Sequence, residues 1–569
     1  MSARPTTQHV IRAGHVTGAE QASDVGVDRR SFLVRMSALA AAGASAMALP
    51  AVAHAGTVAS VSSLPVAAVR PGAVADITEL TLAEVVTLVR SGRLSPVTLV
   101  EAYLDRIGAF DDTLQAFNTV VADEALARAR SLAAGPRTGL LHGVPLAIKD
   151  NYFTAGIETT VNSFAFEGFV PPFDATAVAR LVGAGAIVLG KTQMGPLATT
   201  RATTPAGVVT TVNAWTPQDP STNPGGSSSG SATAVAARLA ASSVGTQTGG
   251  SITAPSNAQN LTGLKPTMGR VSLYGIVPLS YTRDHPGPLA RDVVDAAVML
   301  TAMAGPDPAD PRTLGLPPVP DLVRAATAVG GRKPRVRFAT RVGVIPGFAS
   351  GTSETAVARA AFLAALASVE GIEVVDVPLP EDWDLLTGTA FNNVRLPERT
   401  EPFLPVMRQD LRLLGVSATG WLQGALLGAS EYVTGQRAKN LLLQRVLDDT
   451  FSRCDVVVQT SPNPFDQIGL PELALPIGFT ATGLPIGTIL GGLPFGEDRL
   501  LAVGAAYQAV TDWHLRRPAD PEGPAPVPVP LEGRVPRPPR PRVTGRRGAP
   551  SARPERGRLR AEDVAAQMQ

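Results

Sequence analysis

Apolar positions settle into helical spacing from Ile77 onward. Leu82, Val85, Val86 and Val89 recur at i, i+3, i+4 and i+7, and Gly92 supplies a stop. Ser95-Pro96 reads as a helix N-cap followed by the first helical residue, opening a second helix whose buried face is Leu99, Tyr103 and Ile107. Short apolar runs at 144–148 and 186–189 then read as strands, and 176–182 and 232–241 as helices. Such alternation predicts an α/β fold with a mainly parallel or mixed sheet covered on both faces. Residues 306–335, rich in Pro, Gly and Arg, predict a surface excursion. Helical pattern returns at 352–370 and 405–453, and strand pattern at 455–459 and 484–490. No internal repeat is visible.

Composition narrows this picture. Of 569 residues, 44% are hydrophobic and 17% charged, which excludes a chain disordered throughout and supplies a large core. The total charge of +2 is uneven: residues 1–55 hold +2 and residues 519–569 hold +4, so the body between them is near −4. A body of that charge offers no nucleic-acid surface. A single cysteine, Cys454, excludes a disulfide framework, a thiolate zinc cluster and an iron–sulfur centre. The body's histidines, His142, His285 and His514, lack metal-ligand spacing, so a His-built metal site is not expected.

The ends separate from the body. Residues 28–55 carry Arg29-Arg30, then Ser31-Phe32-Leu33, an Ala-rich run and Ala53-His54-Ala55. This resembles a twin-arginine export signal, with departures at Asp28 and Val34. The run is too short and too weakly apolar for a spanning helix, so no stable membrane insertion is expected. The expectation is cleavage after Ala55, export of the folded protein, and a periplasmic or secreted location. Residues 56–76 read as a linker, 77–518 as one large domain, and 519–569 as a Pro/Arg-rich tail without apolar periodicity.

Two segments of the body hold candidate chemistry. The first is LHGVPLAIKDN, ending in Lys149-Asp150-Asn151. Only five of the 50 basic residues are Lys, so composition alone would have placed Arg here. Arg keeps its proton in a protein, whereas a buried Lys can lose it, which makes Lys149 a candidate general base. On spacing alone, a Lys paired with Asp150 at a strand end is the stronger reading. The second segment is NPGGSSSGS, with Ser227, followed 24 positions later by Ser251 in GTQTGGSI. Gly-rich turns bring backbone close to a cavity and aim amides into it, so Ser251 could be a nucleophile beside oxyanion donors. Taken alone, such a run is as readily a flexible loop; a phosphate loop is set aside because no G-K-[ST] follows.

Together with GKTQM, GLKPTMGRVSLYGIVPLS and GPLARDVVDAA, these motifs occur in one order across 77–518. The chain resembles the amidase signature family of serine hydrolases acting on carboxamides. That resemblance implies an α/β/α sandwich around a large mixed sheet, and a small-molecule amide as substrate, with no metal or organic cofactor needed. It implies a triad of Lys149, Ser227 and Ser251, with Gly226–Ser227 as a cis peptide. It also implies an oxyanion hole from the backbone amides of Thr248, Gly249, Gly250 and Ser251, with Ser228 and Ser229 in support. Two departures stand out: Gln247 replaces the family's usual acid, and Thr253 replaces an Arg. Because both members of an opposite-charge pair are missing, a neutral contact of Gln247 near Thr253 is expected in their place. Lys191 and Lys265 are read as structural, His285 as a loop or pocket-wall residue, and Cys454 as a packing residue. Phe391, Trp421, Leu426 and Tyr432 are candidate pocket walls, with helix packing an equal reading. A homodimer is compatible with the sequence, which does not fix the oligomeric state.

Overall fold

The computed structural model describes residues 76–522 apart from 332, 389–391 and 416–417. The expected export signal and nearly all of the expected linker and tail lie outside the described residues. The opening helices form where the pattern places them, and local chemistry fixes their ends. Thr81 and Glu84 make a reciprocal capping box at Leu82–Arg90. Ser95 accepts from Val97 N at the start of Pro96–Leu114. Gly92 takes a positive φ of 73° just beyond the first helix.

Among the described residues, eleven strands form one sheet. In chain order they are β1 (Phe117–Val120), β2 (Pro145–Lys149), β3 (Ile187–Thr192), β4 (Ser242–Gln247), β5 (Thr262–Lys265) and β6 (His285–Ala290). The rest are β7 (Arg335–Val344), β8 (Glu370–Asp376), β9 (Val456–Gln459), β10 (Glu472–Phe479) and β11 (Pro485–Gly492). Across the sheet the order is β1-β3-β2-β4-β6-β5-β10-β11-β9-β7-β8. Strands β3, β2 and β4 run parallel, as do β9, β7 and β8, while the pairs between these groups are antiparallel. Every residue of β2, β4, β5 and β6 is buried, which requires cover on both faces. The α/β class with a large mixed sheet is therefore as expected.

Differences from the sequence reading have local causes. The helix expected at 232–241 runs instead over Ser229–Ala236. Arg238 takes φ 62° and turns the chain into β4, a strand without apolar alternation because its serines bond to backbone. The stretch 306–335 is not merely a surface excursion. Leu322, Val323 and Ala325 are buried, and Asp307, Asp310 and Thr313 form a packed polar knot. Residues just past the expected boundary at 518 also pack: Asp520 pairs with Arg106 and Arg238.

Candidate active site

Parallel pairing of β2 with β4 brings their carboxyl ends together, the usual place for a site in such sheets. Lys149 is the last residue of β2 and has no exposed surface. Its Nζ lies 2.9 Å from Ser227 Oγ, 2.9 Å from Thr246 Oγ1 and 3.3 Å from Thr246 O. The alternative pairing with Asp150 is not made. Asp150 faces Lys191 at 3.3 Å and accepts from Asn118, Thr160 and Val161. Burial without an adjacent carboxylate pulls Lys149 down to about 7, against the weaker opposing field of Asp284.

Ser227 follows a cis peptide at Gly226–Ser227. Gly226 admits no side chain, because a Cβ there would sit 2.6 Å from Thr200 O and 2.7 Å from Arg201 Cα. Ser229 Oγ braces the loop, donating to Gly225 O at 2.6 Å and accepting from Ala202 N at 2.9 Å. Ser228 Oγ is buried with no hydrogen-bond partner. The loop touches the second serine's segment directly: a Cβ on Gly225 would lie 2.3 Å from Pro255 Cα.

Ser251 sits at 8% exposure in the turn between β4 and the helix Thr253–Ala258. Gly250 holds φ at 94°, which shapes that turn. Among the described residues, the amides of Thr248, Gly249 and Ser251 make no hydrogen bond, while Gly250 N–H lies against the Asp466 carboxylate. Nor is a hydrogen bond formed by Ser251 Oγ among these residues. The Lys149–Ser227 contact is thus in place, whereas no hydrogen bond joins Ser227 to Ser251.

Gln247 anchors this turn. Its Oε1 accepts from Ile252 N and Thr253 N, each at 2.8 Å. Its Nε2 donates to Asp466 Oδ1 and Glu472 Oε2, each at 2.8 Å. Burial raises both carboxyls, and Lys265 lies 3.8 and 3.9 Å from them. A neutral amide therefore strings two main-chain N–H groups to two buried acids.

Sequence reasoning missed Thr246, Asn151, Asp284 and Glu398. Asn151 Nδ2 donates to Thr246 Oγ1 at 3.1 Å, and Thr248 Oγ1 donates to Asp284. Asp284 also lines a cavity of about 340 Å³ with Ile276, Pro278, Tyr281, Glu398 and Tyr432. Of the expected walls, only Tyr432 lines it. Trp421 is core at 1% exposure, Leu426 is 85% exposed, and Phe391 lies outside the described residues. His285 is neither loop nor pocket wall: it starts β6, fully buried, and its ring Nδ1 lies 3.4 Å from Gln247 O. Burial holds it well below the usual histidine range. Cys454 is buried, its thiol pushed up to about 11 by desolvation. Among the described residues no cluster suited to a metal occurs, and no helix is long and apolar enough to cross a membrane.

Residues 98–460 match the family model described as Amidase. Over 485 residues the chain is 36% identical to a glutamyl-tRNA(Gln) amidotransferase subunit from Thermosynechococcus vestitus, covering 76% of this chain and 98% of the relative. Among solved structures, peptide amidase from Stenotrophomonas maltophilia superimposes with a TM-score of 0.67 at 28% identity, covering 78% of this chain and 98% of that one. A bacterial aryl acylamidase of the amidase signature family shares the fold at TM-score 0.66 and 20% identity, covering 77% and 99%.

Proposed function

The chain belongs to the amidase family, and from that membership we propose that it hydrolyses the C–N bond of small carboxamides through an acyl-enzyme on Ser251. One observation carries the reading. A fully buried lysine with no carboxylate beside it stands 2.9 Å from Ser227 on the loop that touches the Ser251 segment.

Neutral Lys149 takes the Ser227 proton as Ser227 takes that of Ser251, and Ser251 Oγ bonds to the amide carbon. The oxyanion gathers on unoccupied main-chain amides of the 248–251 turn; one such donor typically contributes about 2.7–4 kcal/mol to lowering the barrier. The proton returns through Ser227 to the nitrogen, the C–N bond breaks and the amine leaves. Water then attacks the ester by the same relay and releases the acid. These steps use only side chains and main-chain amides of this chain.

Peptide amides, carbamates and esters present a carbonyl open to the same attack, and the likeness to peptide amidase favours including the first of these. An inactive binding protein on the same scaffold is the non-enzymatic alternative. We also propose export, on the strength of residues 28–55; an exported chain would not meet the intracellular partners of an amidotransferase. Protein recovered outside the cytoplasm should begin at Gly56.

The test is a fluorophosphonate probe together with a panel of anilides, aliphatic amides, peptide amides and carbamates. Wild type should be labelled and turn over at least one class, and Ser251→Ala should do neither. Labelling retained in Ser251→Ala would remove Ser251 from the role of nucleophile.

A further inference from the structure

The cavity is joined to the 248–251 turn through Asp284, which lines it and accepts from Thr248 Oγ1, and its lining holds more acids than cations. Asp284, Glu398 and Glu401 line it, against one cation, Arg312. That guanidinium is already committed. It donates to Asp310 at 2.7 Å and to Tyr281 O at 3.0 Å, and lies 4.3 Å over the Tyr281 ring.

Two of the acids are equally committed. Glu398 accepts from Ser280 Oγ, Thr282 N, Thr282 Oγ1, Tyr432 OH and Gln436 Nε2. Asp284 accepts from Thr248 Oγ1, Leu279 N and Ser280 N. Glu401 is exposed at the rim and has no partner among the described residues. Other cations stand near but do not line the cavity. Lys439 Nζ donates to Thr282 O at 2.7 Å, and buried Arg283 has Asp466 as its strongest opposing charge, with Arg395 beside it. The remaining wall is apolar: Leu273, Ile276, Pro278, Pro397 and Pro402.

We propose that this cavity admits the uncharged, apolar body of an amide and rejects one that carries a carboxylate there. The inference rests on the reading of Ser251 as nucleophile only for placing the body of the substrate. An entering carboxylate would meet three lining acids and a lining cation, Arg312, that Asp310 already holds, in a space otherwise walled by hydrocarbon. Like-charge juxtaposition of this kind discriminates by repulsion, with no contact needed to the favoured ligand. Glu401 is the specificity-determining residue, because it alone of the acids has no compensating donor.

The experiment pairs benzamide with 4-carbamoylbenzoate. In wild type, kcat/KM for benzamide should exceed that for the carboxylate by at least about tenfold. Glu401→Lys, at an exposed position, should raise the carboxylate-to-neutral ratio by about tenfold. Calorimetric binding of both compounds to Ser251→Ala protein should show the same order. If wild type cleaves neither, the order of binding to the Ser251→Ala protein alone decides the cavity reading, and the hydrolytic reading is decided separately by the fluorophosphonate probe and the amide panel. A ratio near one in kinetics and binding, a ratio unmoved by Glu401→Lys, or no binding of either compound overturns the proposal.

Discussion

Two lysines on neighbouring parallel strands are buried to the same degree and meet different partners. In β2 and β3, Ile148 pairs with Lys191 and Lys149 with Thr192, so the two lysines sit one register step apart. Both have no exposed surface, and burial lowers both. Lys191 has the Asp150 carboxylate at 3.3 Å, with Tyr152 O at 2.7 Å and Thr159 Oγ1 at 2.6 Å. Its ammonium is thereby held in a salt bridge whose other member is itself hydrogen-bonded. Lys149 meets only hydroxyls and a carbonyl, and Asp284 acts on it as a field without a salt bridge. The difference teaches that burial alone does not make a base. What matters is whether the strand end next door spends its acid elsewhere, and Asp150 is spent on Lys191.

The comparison breaks most sharply at Lys149. Lys149→Arg keeps a cation but cannot give up its proton, so kcat/KM should fall on the order of a thousandfold. Steady-state kinetics on the best amide of the panel reads this, and an active variant would dismiss Lys149 as the base. At Lys191 the expected loss is of stability. Lys191→Met strands Asp150 in the core, and breaking a buried pair costs about 3–5 kcal/mol. Denaturant unfolding should show that loss, and adding Asp150→Asn should make it smaller. An unchanged midpoint would mean that the pair contributes nothing.

A finer probe is pH. A base held near 7 is protonated and idle below that value and free above it, so kcat/KM should rise with pH through about 7. Asp284 raises the Lys149 value, hence Asp284→Asn should move this rising limb to lower pH by less than about one unit. A limb that moves upward, or stays fixed, would separate Asp284 from Lys149.

Some of this was legible in the sequence and some was not, for identifiable reasons. The helix start at Ser95 was readable because a cap acts over two or three residues, whereas the Thr81 capping box went unread inside a pattern taken as helical from Ile77. Lys149, Ser227 and Ser251 stood out as motif positions, and the expected neighbourhood of Gln247 and Thr253 reflects a contact only six residues apart. Strand β4 was not readable. Covered on both faces, it has no alternation, and Ser242 and Ser243 pass for loop residues until their hydroxyls meet Leu289 O and Ser231 O. Asp284 and Glu398 were invisible because their significance lies in partners 36 and 118 residues away along the chain. The second half of the Gln247 contact, to Asp466 and Glu472, spans more than 200 residues and leaves no local trace.

Arg238 lies just beyond the helix that begins next to Ser227, at its far end from the reacting groups. There it clasps Glu79 near the start of the described chain and Asp520 near its finish. Arg106 joins the same clasp through Asp76 and Asp520. The two ends of the described residues are thereby fastened together at the amino end of β4, while the proposed site lies at its carboxyl end. Loss of Asp520 would leave Arg106 with Asp76 and Arg238 with Glu79 as remaining acid partners, so this clasp is shared between two cations rather than hung on one bond.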